Sequence, residues 1–245
     1  MIDFKMAEDL SALGLTGGDV VLVHSSLSSL GYVEGGADTV IDTLLSVIGE
    51  EGTLLMPALS YRTVRPETPV FSLKESPSCV GRITETFRLR NGVKRSMHPS
   101  HSVCAIGKYA DQLLDGHIDT DTPAGATSPF ALLPKFGGKL LMLGCGLNPN
   151  TSIHAIEEQF RPAYLMRDGK FLFKLIGDDG KIIEKEYEFH NFAKTAQRYD
   201  RLADLMTVSK GKVKDAEAFL LDTNEMWRVA TEKMREDPYY FVDRY

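Results

Sequence analysis

No apolar run in this chain of 245 residues is longer than a few residues. A membrane-spanning helix needs about 20 such residues in succession, so none is expected. Basic charge is also scarce: 28 Lys and Arg stand against 34 Asp and Glu, for a net charge of −6. That balance speaks against nucleic acid as a partner, because phosphate binding draws on clustered cations, and it suits a cationic substrate. The three cysteines, Cys79, Cys104 and Cys145, form an odd set at irregular spacing among apolar or small neighbours. Buried reduced thiols fit that pattern better than a disulfide framework or a metal site. The opening MIDFKMAEDL carries acidic residues where a secretory leader has basic ones, so a cytoplasmic location is expected. A Gly-x-Ser-x-Gly elbow and a Walker loop are both missing, which removes the main support for a serine hydrolase or a nucleotide hydrolase. LGCGLN lacks the third glycine of a dinucleotide fingerprint. Repeats and low-complexity linkers are absent as well.

What is present is an alternation of short buried strands and amphipathic helices. FKMAEDLSAL (4–13) and ADTVIDTLLSVI (37–48) place apolar residues at helical intervals, whereas VVLV (20–23) and GTLLMPALS (52–60) read as strands. Strand, helix and strand at this spacing form a βαβ unit with parallel pairing. Residues 61–77, rich in Pro, Ser and Thr, predict an irregular excursion, followed by a helix over 80–90 and strands over 102–107 and 139–146. Ser128 and Pro129 have the N-cap and first-turn pattern of a helix. KFLFKLI (170–176) and KIIEKEYEF (181–189) alternate around GDDG like an antiparallel hairpin, and the last 55 residues read as mostly helical. The expected fold is a three-layer α/β/α sandwich with a mostly parallel central sheet and a small β/α excursion toward the C-terminus. One domain over 1–245 is the favoured organisation, and a split near residue 163 is the alternative.

Polar residues collect at the strand ends. VVLV stops at His24-Ser25-Ser26, MHPSHS places His98 and His101 just before a strand, and KLLMLGCG leads to Asn148, Asn150, Thr151 and His154. In parallel sheets ligands gather beyond the carboxyl ends of the strands. The cluster after VVLV either satisfies itself there or faces a ligand. His154 and Glu157 share a helical face at i, i+3, so the carboxylate can hold an imidazole whose ordinary pKa of ~6.5 lets it accept a proton at neutral pH; a chance pair on a solvated face is the bland alternative. Glu158, about 100° further round the helix, is expected to face water. A zinc amidohydrolase would use His98 and His101, but no third ligand stands at a recognisable spacing, so no metal is expected. Arg82, Arg88, Arg90, Lys94 and Arg95 form either a solvated face or a contact for a phosphate-bearing cofactor.

Taken in order, VHSSLSSLG (23–31), GTLLMPALS (52–60), VGRITETFR (80–88), RSMHPSHSVCAIG (95–107), TPAGATSPFALL (122–133), GGKLLMLGCGLNPNTSIHAIEE (137–158) and GKVKDAEAFLLD (211–222) resemble the aminoglycoside 3-N-acetyltransferase family. Segment 163–210 matches it poorly. The resemblance implies transfer of an acetyl group from acetyl-CoA to a primary amine of an aminoglycoside or related amino sugar, without a covalent enzyme intermediate. It implies His154 as catalytic base with Glu157 orienting it, His24 at the reactive end of the thioester, and Thr151 and Asn150 on the substrate side. Ser25, Ser26 and Leu27 would line the pantetheine channel, His98, His101 and Ser102 would lie near the thioester, and Arg82, Arg95 and Ser128 would reach the phosphates. Asp119, Asp121, Asp178 and Asp179 are candidates for an acidic acceptor pocket. A catalytically silent CoA- or metabolite-binding protein on the same fold is the alternative. The expected partners are acetyl-CoA and a small-molecule amine, in a monomer or homodimer.

Overall fold

The structure, a computed structural model, describes residues 1–191 and 195–244. Helix α1 (Phe4–Leu13) starts where the Asp3 carboxylate accepts from the Met6 N–H. Strand β1 (Val20–Ser25), helix α2 (Gly36–Ile48) and strand β2 (Thr53–Pro57) follow. β1 and β2 pair in parallel with Val20 opposite Thr53, as a helix-length crossover requires. Next come β3 (Val70–Ser72), α3 (Arg82–Arg88), β4 (Lys94–Arg95), β5 (Val103–Gly107), α4 (Ala110–Leu114), α5 (Pro129–Leu132), β6 (Lys139–Leu143) and α6 (Ile153–Phe160). The remainder holds the hairpin β7 (Phe171–Ile176) and β8 (Ile182–Tyr187), then β9 (Thr195–Gln197), β10 (Ser209–Val213), β11 (Ala216–Asp222), α7 (Thr223–Glu236) and β12 (Val242–Arg244).

Seven strands form the main sheet in the order β10-β11-β6-β1-β2-β5-β4. Its centre, β6-β1-β2, is parallel, and the strands on both flanks pair antiparallel. The direction of β5 has a consequence for function. Because Pro57 lies opposite Val103 in an antiparallel register, the loop preceding β5 emerges at the same edge as the loops following β1, β2 and β6.

Side chains along each strand alternate between two cores. Val21, Val23, Leu54 and Met56 pack with Met6, Leu10, Val40, Ile41 and Phe87 from α1, α2 and α3. Val20, Leu22, Leu55 and Met142 pack with Leu113, Phe130, Ile156 and Met226 from α4, α5, α6 and α7. This is the three-layer arrangement expected from the sequence. By the period of two, His24 continues the Val20–Leu22 row and falls on the face that α6 covers.

Two expectations need correction. The 61–77 stretch is not irregular throughout, since β3 within it pairs in parallel with β7 and builds a small sheet β3-β7-β8 over Val64, Phe71, Phe173, Leu175 and Tyr187. The last 55 residues are not mostly helical: β10 and β11 form a hairpin that extends the main sheet, and α7 is the one long helix among the described residues there. Residues 192–194 of that span lie outside the described residues. The hairpin turns at Lys214 with a φ of 52°, a residue type that carries no turn signal in a sequence. Among the described residues no helix is long and apolar enough to cross a membrane.

Candidate active site

A cavity of about 760 Å³ opens at the edge where these loops converge. β1 contributes His24 and Ser25; the segment after β2 contributes Leu59, Tyr61 and Arg62; the loop after β6 contributes Cys145, Asn148, Asn150 and Thr151. His101 arrives from the loop before β5, His154 from α6, and His190 from beyond β8. Gly144 makes the turn out of β6 at a φ of 74°, and a Cβ there would stand 2.7 Å from that of Ser29. Only glycine both adopts this φ without strain and leaves the neighbouring loop in place.

His154 and Glu157 meet as their spacing on α6 predicts: Nδ1 and Oε2 are 2.7 Å apart. Glu157 is fully buried, and two tyrosines complete its shell. Tyr199 donates to Oε2 at 2.9 Å and Tyr164 to Oε1 at 2.6 Å. Burial works to raise the Glu157 pKa, but the hydrogen bonds from His154, Tyr164 and Tyr199 outweigh it and hold the carboxyl below the usual range. A carboxylate on Nδ1 assigns the proton to that nitrogen and the lone pair to Nε2. Neither tyrosine carries a signal in the sequence, because each approaches through tertiary folding.

Glu158 does not face water. Its Oε1 accepts from the Ala124 N–H at 2.8 Å and lies 2.9 Å from His190 Nε2. Burial lifts its pKa to about 7. The same strand-end pattern that marks His24 also marks His190, directly after KIIEKEYEF, yet sequence reading passes over it. One nitrogen from each of His101, His154 and His190 lies within 4.8 Å of the others. Burial lowers the His24 pKa to about 3 and pushes those of His101 and His190 well below the usual value, with neighbouring imidazoles adding to each shift. These three rings are therefore neutral near pH 7.

Of the sequence-selected residues, His24, Ser25, His101, Asn150, Thr151 and His154 line the cavity, and Glu157 supports His154 from behind. The others stand elsewhere. His98 is fully buried, and its Nδ1 accepts from the backbone N–H of Ser100 and of His101, which fixes the turn that presents His101. Ser102 donates to the Ala58 carbonyl and accepts from Arg95 Nε. Arg95 is braced internally: its guanidinium also donates to the carbonyls of Leu73, Ser76 and Ala58, which does not fit a phosphate contact. Ser128 caps α5 by accepting from the Ala131 N–H. Ser26 closes the turn after β1 by donating its N–H to the Leu143 carbonyl, and Leu27 packs into the core beneath α1 and α2. Arg82 is exposed at the start of α3, the helix whose Thr84 lines the cavity. None of Asp119, Asp121, Asp178 and Asp179 lines the cavity, and Asp121 pairs with Lys170. Among the described residues the wall holds the cation Arg62 and no carboxylate.

Comparison with known proteins gives a consistent result. Residues 22–235 match the family model described as aminoglycoside 3-N-acetyltransferase. Aminoglycoside N(3)-acetyltransferase VII of Streptomyces paromomycinus is 38% identical over 170 residues, covering 62% of this chain and 59% of the relative. The match therefore spans about three fifths of that relative's length. The SPbeta prophage-derived aminoglycoside N(3')-acetyltransferase-like protein YokD of Bacillus subtilis (strain 168) is 34% identical over 204 residues, 75% of this chain and 73% of its own. The YokD crystal structure superposes with a TM-score of 0.80 and 30% identity over 96% of this chain and 98% of that one. A mutant of aminoglycoside acetyltransferase AAC(3)-IVa in complex with a gentamicin superposes with a TM-score of 0.83 and 27% identity, covering 97% of this chain and 90% of that one.

Proposed function

Because the chain belongs to the aminoglycoside 3-N-acetyltransferase family, we propose that it moves an acetyl group from acetyl-CoA to a primary amine of an aminoglycoside or related amino sugar, directly, with His154 as general base. The observation that carries this reading is the buried His154–Glu157 pair at the cavity wall. An alkyl ammonium has no lone pair for attack on a thioester. The imidazole, held by an anion, takes up one proton as the nitrogen attacks and returns it to the departing thiolate, while the other ammonium proton leaves to solvent. Such a positioned base contributes about 10²–10⁴-fold in rate.

The rest of the wall supports the same chemistry. Direct transfer needs no protein nucleophile, and burial pushes the Cys145 thiol up to about 11 and raises that of Cys79, so neither is a ready thiolate at neutral pH. His24 is neutral at the end of β1, and among the described residues its buried Nε2 has no hydrogen-bond partner. An N–H there suits the developing oxyanion, a contribution of about 3–4 kcal/mol for a well-placed donor. Val23, Pro57, Leu59 and Val80 give the wall the apolar stretch that a pantetheine arm would lie along, and Arg82 is the cation proposed for its phosphates. The volume suits small ligands, whose pockets span about 300–1,000 Å³.

Among the described residues the wall has no carboxylate, which favours an acceptor with few ammonium groups, such as an amino sugar, over a polycationic antibiotic. Acetyl-CoA mixed with a panel of amines, followed by release of free thiol, tests the proposal. Turnover with some amine is expected, falling about 10²–10⁴-fold in His154→Ala when that variant is assayed well below its own melting temperature. Full turnover in that variant refutes the base assignment. Tight CoA binding without turnover on any amine identifies a silent binding protein instead.

A further inference from the structure

We propose that His101, His154 and His190 together bind a zinc-class divalent cation, with the remaining coordination position open to the cavity. Three separate elements deliver these rings to one point: the loop before β5, α6 and the segment after β8. One ring nitrogen from each lies within 4.8 Å of the other two. Zn–N bonds of about 2.0–2.1 Å put tetrahedral ligand atoms ~3.4 Å apart, so side-chain shifts of about 1 Å close the set.

Two further observations separate this cluster from a chance meeting of imidazoles. All three residues are buried, with at most 5% of their surface exposed. Each ring also has its other nitrogen held by an oxygen. Glu157 Oε2 holds His154 Nδ1 at 2.7 Å, Glu158 Oε1 holds His190 Nε2 at 2.9 Å, and Ser100 Oγ holds His101 Nδ1 at 2.8 Å. Metal-binding histidines regularly donate their second N–H to an oxygen, which fixes the ring and raises its basicity. The ligand atoms are then His154 Nε2, His190 Nδ1 and His101 Nε2. A set of three imidazole ligands with no carboxylate selects zinc, cobalt, nickel or copper over magnesium or calcium. An open fourth position is the pattern of zinc sites that take water or a small ligand.

The consequence for activity rests on the proposed role of His154. A cation on His154 Nε2 occupies the lone pair that would accept the proton, so zinc blocks acetyl transfer reversibly and a chelator restores it.

The test is binding of the metal alone. Protein stripped with EDTA and dialysed is titrated with ZnCl₂ and followed by elemental analysis after gel filtration; CoCl₂ supplies a visible spectrum. The expected result is one zinc per chain and the strong absorption bands of four-coordinate cobalt. Stoichiometric binding should be lost in His190→Ala and His101→Ala, and Glu158→Gln should weaken it about 10–100-fold. If the alanine variants do not fold, X-ray absorption of the wild-type cobalt form decides: three imidazole ligands support the site and fewer overturn it. No bound zinc, or stoichiometric zinc that survives both histidine replacements, also overturns it. The two proposals fail separately. Zinc that binds without slowing turnover refutes His154 as base and leaves the metal site standing, whereas no zinc with an inactive His154→Ala refutes the metal site alone.

Discussion

Replacing Glu158 with glutamine is expected to remove one contribution to stability that declines as pH rises from 4.5 to about 7. That decline is set against the opposite rise that the buried neutral rings of His24, His101 and His190 give the whole protein. Burial raises the Glu158 carboxyl from the ordinary 4.5 to about 7, against the opposing pull of the Ala124 N–H. The folded protein thus holds this proton more tightly than the unfolded chain does. The stabilisation is fully present below pH 4.5, declines once the unfolded chain begins to release the proton, and is gone above about pH 7. At about 1.4 kcal/mol per pH unit, the whole effect comes to about 3 kcal/mol. Glutamine keeps an acceptor for Ala124 but does not titrate, and any packing cost it adds is the same at every pH. Adjacent Glu157 acts in a different window: its lowered pKa contributes stability above 4.5 that is lost only as pH falls through the folded value. Urea denaturation in EDTA at several pH values, read by fluorescence of the sole tryptophan, Trp227, which packs against the α6–α7 core, gives both curves. Parallel curves for wild type and Glu158→Gln would refute the argument.

Three other replacements test separate parts of the molecule. Tyr199→Phe removes one donor from the Glu157 carboxylate, worth about 1.5–3 kcal/mol; kcat should fall while the acceptor KM stays constant, and an unchanged kcat would remove Tyr199 from the supporting network. Arg95→Met leaves the carbonyls of Leu73 and Ser76 without the Arg95 donor and Ala58 with Ser102 alone. It should cost about 3 kcal/mol or more in chemical denaturation, whereas full stability with a raised KM for acetyl-CoA would reassign Arg95 to the cofactor. Gly144→Ala places a methyl group against Ser29 at a φ of 74°. A loss of about 1–3 kcal/mol is expected, measured by thermal unfolding, and an unchanged melting temperature would show that the turn relaxes.

Local patterns account for much of the scaffold. α1, α2 and the βαβ unit follow from apolar spacing, since each element's buried stripe repeats at its own period. Ser128 and Pro129 begin α5 where expected. The β10–β11 hairpin carries a weaker local signal, because it turns at Lys214 and alternates small residues such as Ala216 and Ala218. At the site, the His154–Glu157 contact is legible because both residues ride on one helix. Glu158 misleads for a related reason: angular position on an isolated helix says nothing about which loop lies over it, and here Ala124 and His190 cover its carboxyl.

The sequence by itself determined every contact set by helical or strand period: the stripe each helix buries, the face His24 shares with Val20 and Leu22, and the carboxylate paired with His154. Only the tertiary structure decided which distant groups join them. The antiparallel course of β5 carries His101 to the cavity edge, the small sheet brings His190 opposite, and Tyr164 and Tyr199 close over Glu157. Period is a property of neighbouring backbone units, whereas these meetings depend on strand direction and layer packing, which are settled by burial across the whole chain.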